Sequence, residues 1–329
     1  MKKNIITLSI MLVMLVLSQV SFANDTIVNI GPNLESLQNA PVSYYVYDVP
    51  SKKDIANNVT KLWNNLNKHT NAQLDLNLLN NAETSDRISI NTGDIFFDVF
   101  SPASLGFLYT KSLTNYLRPA NKPVKSNRLP DKVKSGEMAR DYLSKLEILP
   151  QETEELYITK VSKVRMASYN SNTKESQNYD MMQVVHFGRK LNGIPVYGAS
   201  RIVVRLGDNG DLVGVIKNWP KLIPMAIKGE AKIHEKSKWK DVSAKYLKKL
   251  YVATDFSTVN IEKAEVVMYD DGEGCIEPAL FAKGKQIGKS GITAEGDWVI
   301  PIMAEPKAKY KAAANIVGSR NDRGTARIR

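Results

Sequence analysis

With 329 residues, 45 basic and 34 acidic side chains and a formal charge of +11, the chain is long enough for two or three ordinary domains, each with its own core. A single cysteine, Cys275, excludes an intramolecular disulfide scaffold, so stability has to come from burial. The three histidines, His69, His186 and His234, form no His-Glu-x-x-His pattern, which excludes that type of zinc helix.

Met1 to Ala23 combines Lys2 and Lys3, an apolar core from Ile5 to Leu17, and the small residues Ser21 and Ala23 at cleavage positions. That is the pattern of a secretory signal peptide cleaved after Ala23, with an apolar run shorter than a bilayer span needs. An exported chain, periplasmic or secreted, with no transmembrane segment after cleavage is expected. Its basic excess is spread along the chain. In that setting it favours acidic partners, a protein or an envelope polymer, over nucleic acid.

Val42 to Tyr47 reads as a strand, and Ile55, Val59, Leu62, Trp63 and Leu66 recur at helical spacing over residues 52 to 68. Strands are expected at Ile88 to Ile90, Ile95 to Phe100 and Leu105 to Tyr109, with a turn at Asn91 to Asp94. Residues 24–118 thus form a first helix-and-meander unit. Arg118 to Pro130, with three prolines, four basic residues and no acid, marks residues 119–130 as a linker. Asp131 then caps a helix whose Val133, Ala139, Tyr142, Leu143 and Leu146 share a face, closed by Leu149-Pro150. Strands follow at Leu156 to Met166 and Met181 to Phe187, split by a polar loop from Asn170 to Asn178.

Gly188 to Trp219 is the centre of the second unit, residues 131–224. It holds a turn at Asn192-Gly193-Ile194-Pro195, a strand, and a hairpin turn from Gly207 to Asp211 in which Asn209-Gly210 supplies positive φ. In that strand Ser200, Ile202, Val204 and Leu206 alternate with outward-facing Arg201, Val203 and Arg205. Gln183-Val184-Val185-His186-Phe187, then Leu191-Asn192-Gly193-Ile194-Pro195-Val196-Tyr197-Gly198, then Arg201 to Leu206 and Gly210 resemble the FTP motif in propeptides of thermolysin-like and fungalysin metalloproteases. There the motif accompanies a PepSY domain, and the pair inhibits the protease and assists its folding. Without a zinc helix of its own, the chain resembles such a propeptide lacking its protease. The resemblance covers about 40 residues and carries no catalytic residue across.

A third unit, residues 225–305, begins near Ser237 with Trp239, Val242, Tyr246 and Leu250 at helical spacing, followed by strands at Ala264 to Tyr269, Ile276 to Ala282 and Trp298 to Met303. Residues 306–329 are a basic tail, expected to be disordered beyond Ala314. The fold class expected is α+β, built from repeated helix-plus-antiparallel-meander units of the kind that PepSY-like and cystatin-like domains form.

No nucleophile elbow, phosphate loop or Cys-x-x-Cys pair occurs. Cys275 reads as a buried strand-end thiol, His186 as a strand residue, and His69 as a cation suited to a helix C-terminus. Two acidic clusters, Asp208 with Asp211 and Asp270, Asp271 with Glu273, lack the closing glutamate of a calcium loop, so no metal or cofactor is called for. Tyr44, Tyr45 and Tyr47 suit cross-strand packing better than glycan stacking. The expected function is non-enzymatic protein binding in the manner of a propeptide, inhibiting or assisting an extracytoplasmic protease or envelope protein. Arg201 and Arg205 are the candidate contacts, with Gly193, Pro195, Gly198, Asn209 and Gly210 as turn determinants. A basic structural or envelope-polymer-binding protein is the alternative, and a hydrolase of unrecognised type the third.

Overall fold

The computed structural model describes residues 26–70, 75, 77, 88–92, 95–101, 106–111, 128–170, 172–228, 232–251 and 254–310. The expected signal peptide, most of the expected linker and the tail beyond residue 310 lie outside them.

Three α-helices are described. In α1 (Lys52–Thr70) Ser51 and Asp54 cap each other reciprocally, the Asp54 amide donating to Ser51 Oγ at 3.2 Å and the Ser51 hydroxyl to the Asp54 carboxylate at 2.6 Å. Its buried Val59, Leu62, Trp63 and Leu66 lie at the spacing expected, and the Trp63 ring meets Phe97 edge-on at 5.1 Å. In α2 (Lys132–Lys145) the Asp131 side chain accepts from the Lys134 amide at 2.8 Å. Ala139, Leu143 and Leu146 are buried as expected, whereas Val133 is 74% exposed, because Ser135 and Gly136 take the first inward turn. In α3 (Lys236–Tyr251) the buried stripe is Trp239, Ser243, Leu247 and Tyr251, so Val242 sits beside it.

The expectation of small helix-plus-meander repeats is overturned: the described strands form one 14-stranded mixed sheet. They are β1 (Ile27–Ile30), β2 (Ser43–Tyr47), β3 (Ile88–Asn91), β4 (Ile95–Ser101), β5 (Gly106–Lys111), β6 (Leu156–Asn170), β7 (Glu175–Leu191), β8 (Ile194–Gly198), β9 (Arg201–Leu206), β10 (Leu212–Asn218), β11 (Leu222–Ala226), β12 (Phe256–Asp270), β13 (Cys275–Gly288) and β14 (Thr293–Pro301). Pairings distant in sequence merge the expected units. β5 pairs with β10, so residues 24–118 and 131–224 share one antiparallel half running β3-β4-β5-β10-β9-β7-β6. β1 runs parallel to β12, and β2 bridges β13 and β11, so the same N-terminal segment completes the other half. Local patterning reveals a hairpin but not which hairpin its edge strand will join, and that is why the unit-by-unit reading failed.

Each half has its own core. α1 and α2 cover the antiparallel half, packing on Phe97, Phe107, Tyr109, Val185, Phe187, Ile202, Val204, Leu206 and Val215. α3 covers the other half, packing on Val259, Ile261, Val266, Leu280, Trp298 and Ile300. The halves meet at the β7–β8 hairpin, where Lys190 pairs with Pro195 and Leu191 with Ile194. Asn192 (φ 52°) and Gly193 (φ 79°) form its tight turn, as the Asn-Gly pair requires. β6 and β7 are longer than expected because Asn170 to Asn178, polar and without apolar alternation, is mostly paired strand closed by a short turn.

Gly193 and Gly198 both have positive φ but different surroundings. A Cβ on Gly193 would meet nothing within 4 Å, whereas one on Gly198 (φ 114°) would lie 2.1 Å from the Asp270 carbonyl oxygen. Gly193→Ala should therefore cost only the left-handed backbone penalty of about 1–2 kcal/mol, and Gly193→Val more, since β-branching is excluded there. Gly198→Ala should cost at least about twice as much as Gly193→Ala, since backbone must also move. Urea denaturation of the two alanine variants checks the order, and equal losses would contradict the close approach.

Candidate functional site

On β9, Arg201 is exposed and Arg205 half-buried, and both face away from the helices, because Ile202, Val204 and Leu206 occupy the helix-covered face. Four positions apart on a strand, they are separated by about 13 Å and do not form one guanidinium clamp. Val203 between them, expected to face outward, is only 5% exposed. It packs with Met182, Val184 and Val213, so the far face of the sheet carries a small apolar cluster of its own. The strand register places Lys160 opposite half-buried His186, and Ser162 opposite Val184, on this face. His186 lies 3.4 Å from Ser162 Oγ.

The turn residues serve the hairpins. Asn209 (φ 55°) and Gly210 (φ 82°) form a single left-handed turn after Asp208, closed by the Gly207 amide on Asp211 O at 2.8 Å. A Cβ on Gly210 would collide with Met138, so α2 packs directly on this turn. Asp208 is 3.3 Å from Arg128, and the Asn209 amide donates to Arg128 O, so the first acidic cluster anchors the end of the expected linker.

The second acidic cluster is a scaffold. Asp270, 1% exposed, accepts from Tyr47 Oη and Ser200 Oγ, each at 2.5 Å, and from the Gly272 amide at 2.9 Å. Burial pushes its pKa up, against the pull of those donors. Asp271 accepts from the amides of Glu273, Gly274 and Cys275 with one oxygen and from Lys309 with the other. Glu273 pairs with Lys309 Nζ at 2.6 Å. Nearby Glu277, fully buried, accepts from the amides of Lys307 and Ala308 and from Tyr310 Oη, which ties residues 307–310 onto the sheet. With their oxygens committed in this way, these acids hold chain together; among the described residues no group of three or more His, Cys, Asp or Glu side chains could hold a metal ion. Burial and then Glu277 push the Cys275 thiol up to about 12, far from a thiolate nucleophile at neutral pH. Of the tyrosines, Tyr47 holds Asp270 and Tyr45 Oη accepts from Asn192 Nδ2, so both face partners inside the molecule.

Sequence reading missed a cleft of about 520 Å³ between the start of α1, the turn at residues 149–152 and the end of β10. Exposed Asp54 and Glu152 stand at its rim, and buried Pro150, Trp219 and Pro220 form its floor. Lys217 lies opposite Ile202 in the β9–β10 register and therefore on the helix-covered side. Together with Asn58 it also borders a smaller cavity of about 140 Å³ lined by Val59, Leu62, Val99, Phe107, Leu146, Ile148 and the Lys61–Glu147 ion pair. Burial, and then the Arg189 charge, hold the Lys217 ammonium down to about 8. Arg189 is occupied: its guanidinium pairs with Glu155 at 2.6 Å, donates to Pro220 O at 2.8 Å and lies over the Trp219 ring at 4.9 Å. One cue was in the sequence, since Lys217 falls in phase with Val215 and Trp219, on the apolar side of a period-two strand.

Two measurements follow. Asp270→Ala leaves three buried donors unpaired and should cost at least about 3 kcal/mol, while Asp270→Asn retains an acceptor and should cost less than half as much. A shift of Lys217 from 10.5 to about 8 corresponds to roughly 3 kcal/mol. Because the folded pKa lies below the unfolded one, the penalty is full below about pH 8 and is relieved as pH rises toward 10.5. Lys217→Met should thus raise stability by on the order of 2 kcal/mol at pH 7, with the gain shrinking toward pH 10. Urea melts at the two pH values check both size and sign.

No family model matches the chain, and no curated protein matches it. No helix among the described residues is long and apolar enough to cross a membrane. Among solved structures, the chain is similar to the crystal structure of an uncharacterized protein from Eubacterium rectale ATCC 33656, at 12% identity over 87% of this chain and 89% of that one; the TM-score of 0.33 is too low to bear on fold or function.

Proposed function

We propose that the chain is an exported, non-enzymatic module that binds a partner protein in the manner of a propeptide, with the far face of β9 as its contact surface. The observation that carries this reading is that Arg201 and Arg205 stand on the same face of β9, flanking an apolar cluster that is itself buried. Neither arginine has an acidic partner among the described residues, and Lys160 adds a third cation to the same face. A basic face without acidic partners suits an acidic partner surface. The FTP-like segment from Gln183 to Gly210, which supplies the second half of β7 with β8 and β9, supports a polypeptide as the partner, because the propeptides it resembles bind proteins. The leader-like pattern of Met1 to Ala23 supports an extracytoplasmic setting.

Arg201→Glu combined with Arg205→Glu should reduce partner capture from an extracytoplasmic fraction by at least about tenfold, equivalent to 1.4 kcal/mol. The melting temperature should stay within a few degrees, as for surface substitutions generally. Capture that survives in the variant moves the interface elsewhere. A collapsed melting temperature would mean the arginines stabilise the sheet. Capture abolished by moderate salt in the wild-type chain would favour an acidic polymer over a partner protein held by apolar contacts.

A further inference from the structure

We propose that the end of the mixed half where β1 begins docks on an anionic membrane surface, through Lys245, Lys248, Lys249 and Lys289 and the exposed side chains of Ile27 and Ile292. Separate stretches of chain converge there. The Thr26 hydroxyl donates to Phe256 O at 3.4 Å, Ile27 pairs with Thr258, and Phe256 pairs with Gly288. The Lys289 amide donates to Asp255 O at 2.8 Å, and Tyr251, the last residue of α3, donates its hydroxyl to Gln286 Oε1 at 2.7 Å. The last turn of α3, the start of β1 and the turn between β13 and β14 therefore form one pole of the sheet.

Charge at this pole is one-sided. Lys245, Lys248 and Lys249 are spaced to share one face of α3, and all three are exposed, as is Lys289. None of the four has an ion pair among the described residues. The acids of the region are Asp241, one turn before Lys245, and exposed Asp255; Glu262 and Glu295 flank Lys285 instead, Glu262 at 3.1 Å. At the same pole Ile27 is 58% exposed and Ile292 71% exposed, each on a different projecting element. Proteins lying on a bilayer combine these two features: lysines meet lipid phosphates, and apolar tips enter between the headgroups.

The route of the preceding chain selects a bilayer over a soluble polyanion. Residues 18–25 separate the apolar run ending at Leu17 from Thr26, and eight residues span at most about 30 Å. In a precursor whose leader lies in the membrane, this pole is thus the part of the sheet held beside the lipid, and its lysines and isoleucines keep it there after cleavage. The pole and β9 lie in different halves of the sheet, so failure of either reading leaves the other standing.

Cosedimentation of the chain from residue 24 onward, which keeps every described element, with vesicles of phosphatidylglycerol and phosphatidylcholine tests the proposal. Retention on the mixed vesicles, and none on phosphatidylcholine alone, is expected. Lys248→Gln with Lys249→Gln should weaken retention at least about tenfold, each lysine at an anionic surface being worth roughly fivefold. Lys132→Gln with Lys134→Gln, the same charge change at exposed positions on α2, should weaken it less than about threefold. Ile292→Ser should cost at least about threefold, the share of the apolar tip. Melting temperatures establish that each variant is folded, and should the α3 pair unfold, Lys245→Gln with Lys289→Gln carries the same expectation. No retention on the mixed vesicles, equal losses for the α2 and α3 pairs, or wild-type retention by Ile292→Ser would each overturn it. Polyglutamate that strips the chain from vesicles, with Ile292→Ser binding it as wild type does, would assign the lysines to a soluble polyanion instead.

Discussion

The structure depends on one buried carboxylate. Asp270 ends β12 and gathers the hydroxyl of Tyr47 from β2, the hydroxyl of Ser200 from the segment entering β9, and the amide of Gly272 from the turn into β13. It thereby ties the antiparallel half of the sheet to the mixed half at the point where β8 leaves one and joins the other. Gly198 is part of the same arrangement, because only a residue without Cβ allows β8 to lie this close to the Asp270 backbone. Burying an acid is costly, and three donors offset that cost only while all three stay in place. The junction is therefore specified by a polar knot rather than by apolar packing alone.

Lys217 shows the opposite economy. Its position on the helix-covered side of β10 brings a cation to a cavity lined by Val59, Leu62 and Phe107, where Glu147 is paired with Lys61 instead. A cation drawn out of water without an ion pair weakens a fold. Nearby Arg189 is buried as well, yet it has a carboxylate, a carbonyl and an aromatic face as partners. Two cations in one region thus differ in their surroundings, one fully engaged and one without an ion pair among the described residues.

Much of the local structure was legible in the sequence, and much of the global structure was not. α1 was read from Val59, Leu62, Trp63 and Leu66, and the turns from Asn192-Gly193 and Asn209-Gly210, because capping, helical spacing and left-handed φ are properties of adjacent residues. β1 and β11 were missed: four residues of modest apolarity and a proline-containing edge strand gain their order from partners far along the chain. The facing of β9 was half right. Alternation placed Ile202, Val204 and Leu206 correctly, but nothing local reveals that Val203 meets Met182 and Val184 on the far side. The acidic cluster near residue 271 had the composition of a cation loop, and its role as a clasp for residues 307–310 emerged only when the returning chain was placed over it.

The pairing of β1 with Thr258 to Ile261, and of β2 with Cys275 and Ile276, has a consequence for the order of assembly. These contacts span more than two hundred residues, so most of the closure entropy of the mixed half must be met before its sheet is complete. A chain emerging vectorially, from a ribosome or through a membrane, would present β1 and β2 long before the strands that receive them exist. The antiparallel half has its hairpins and both covering helices in the intervening sequence and can form first. Until residue 261 emerges β1 remains an unpaired edge, and until residue 276 emerges β2 has only the short β11 beside it, and this is the interval in which the chain is most exposed to misassociation.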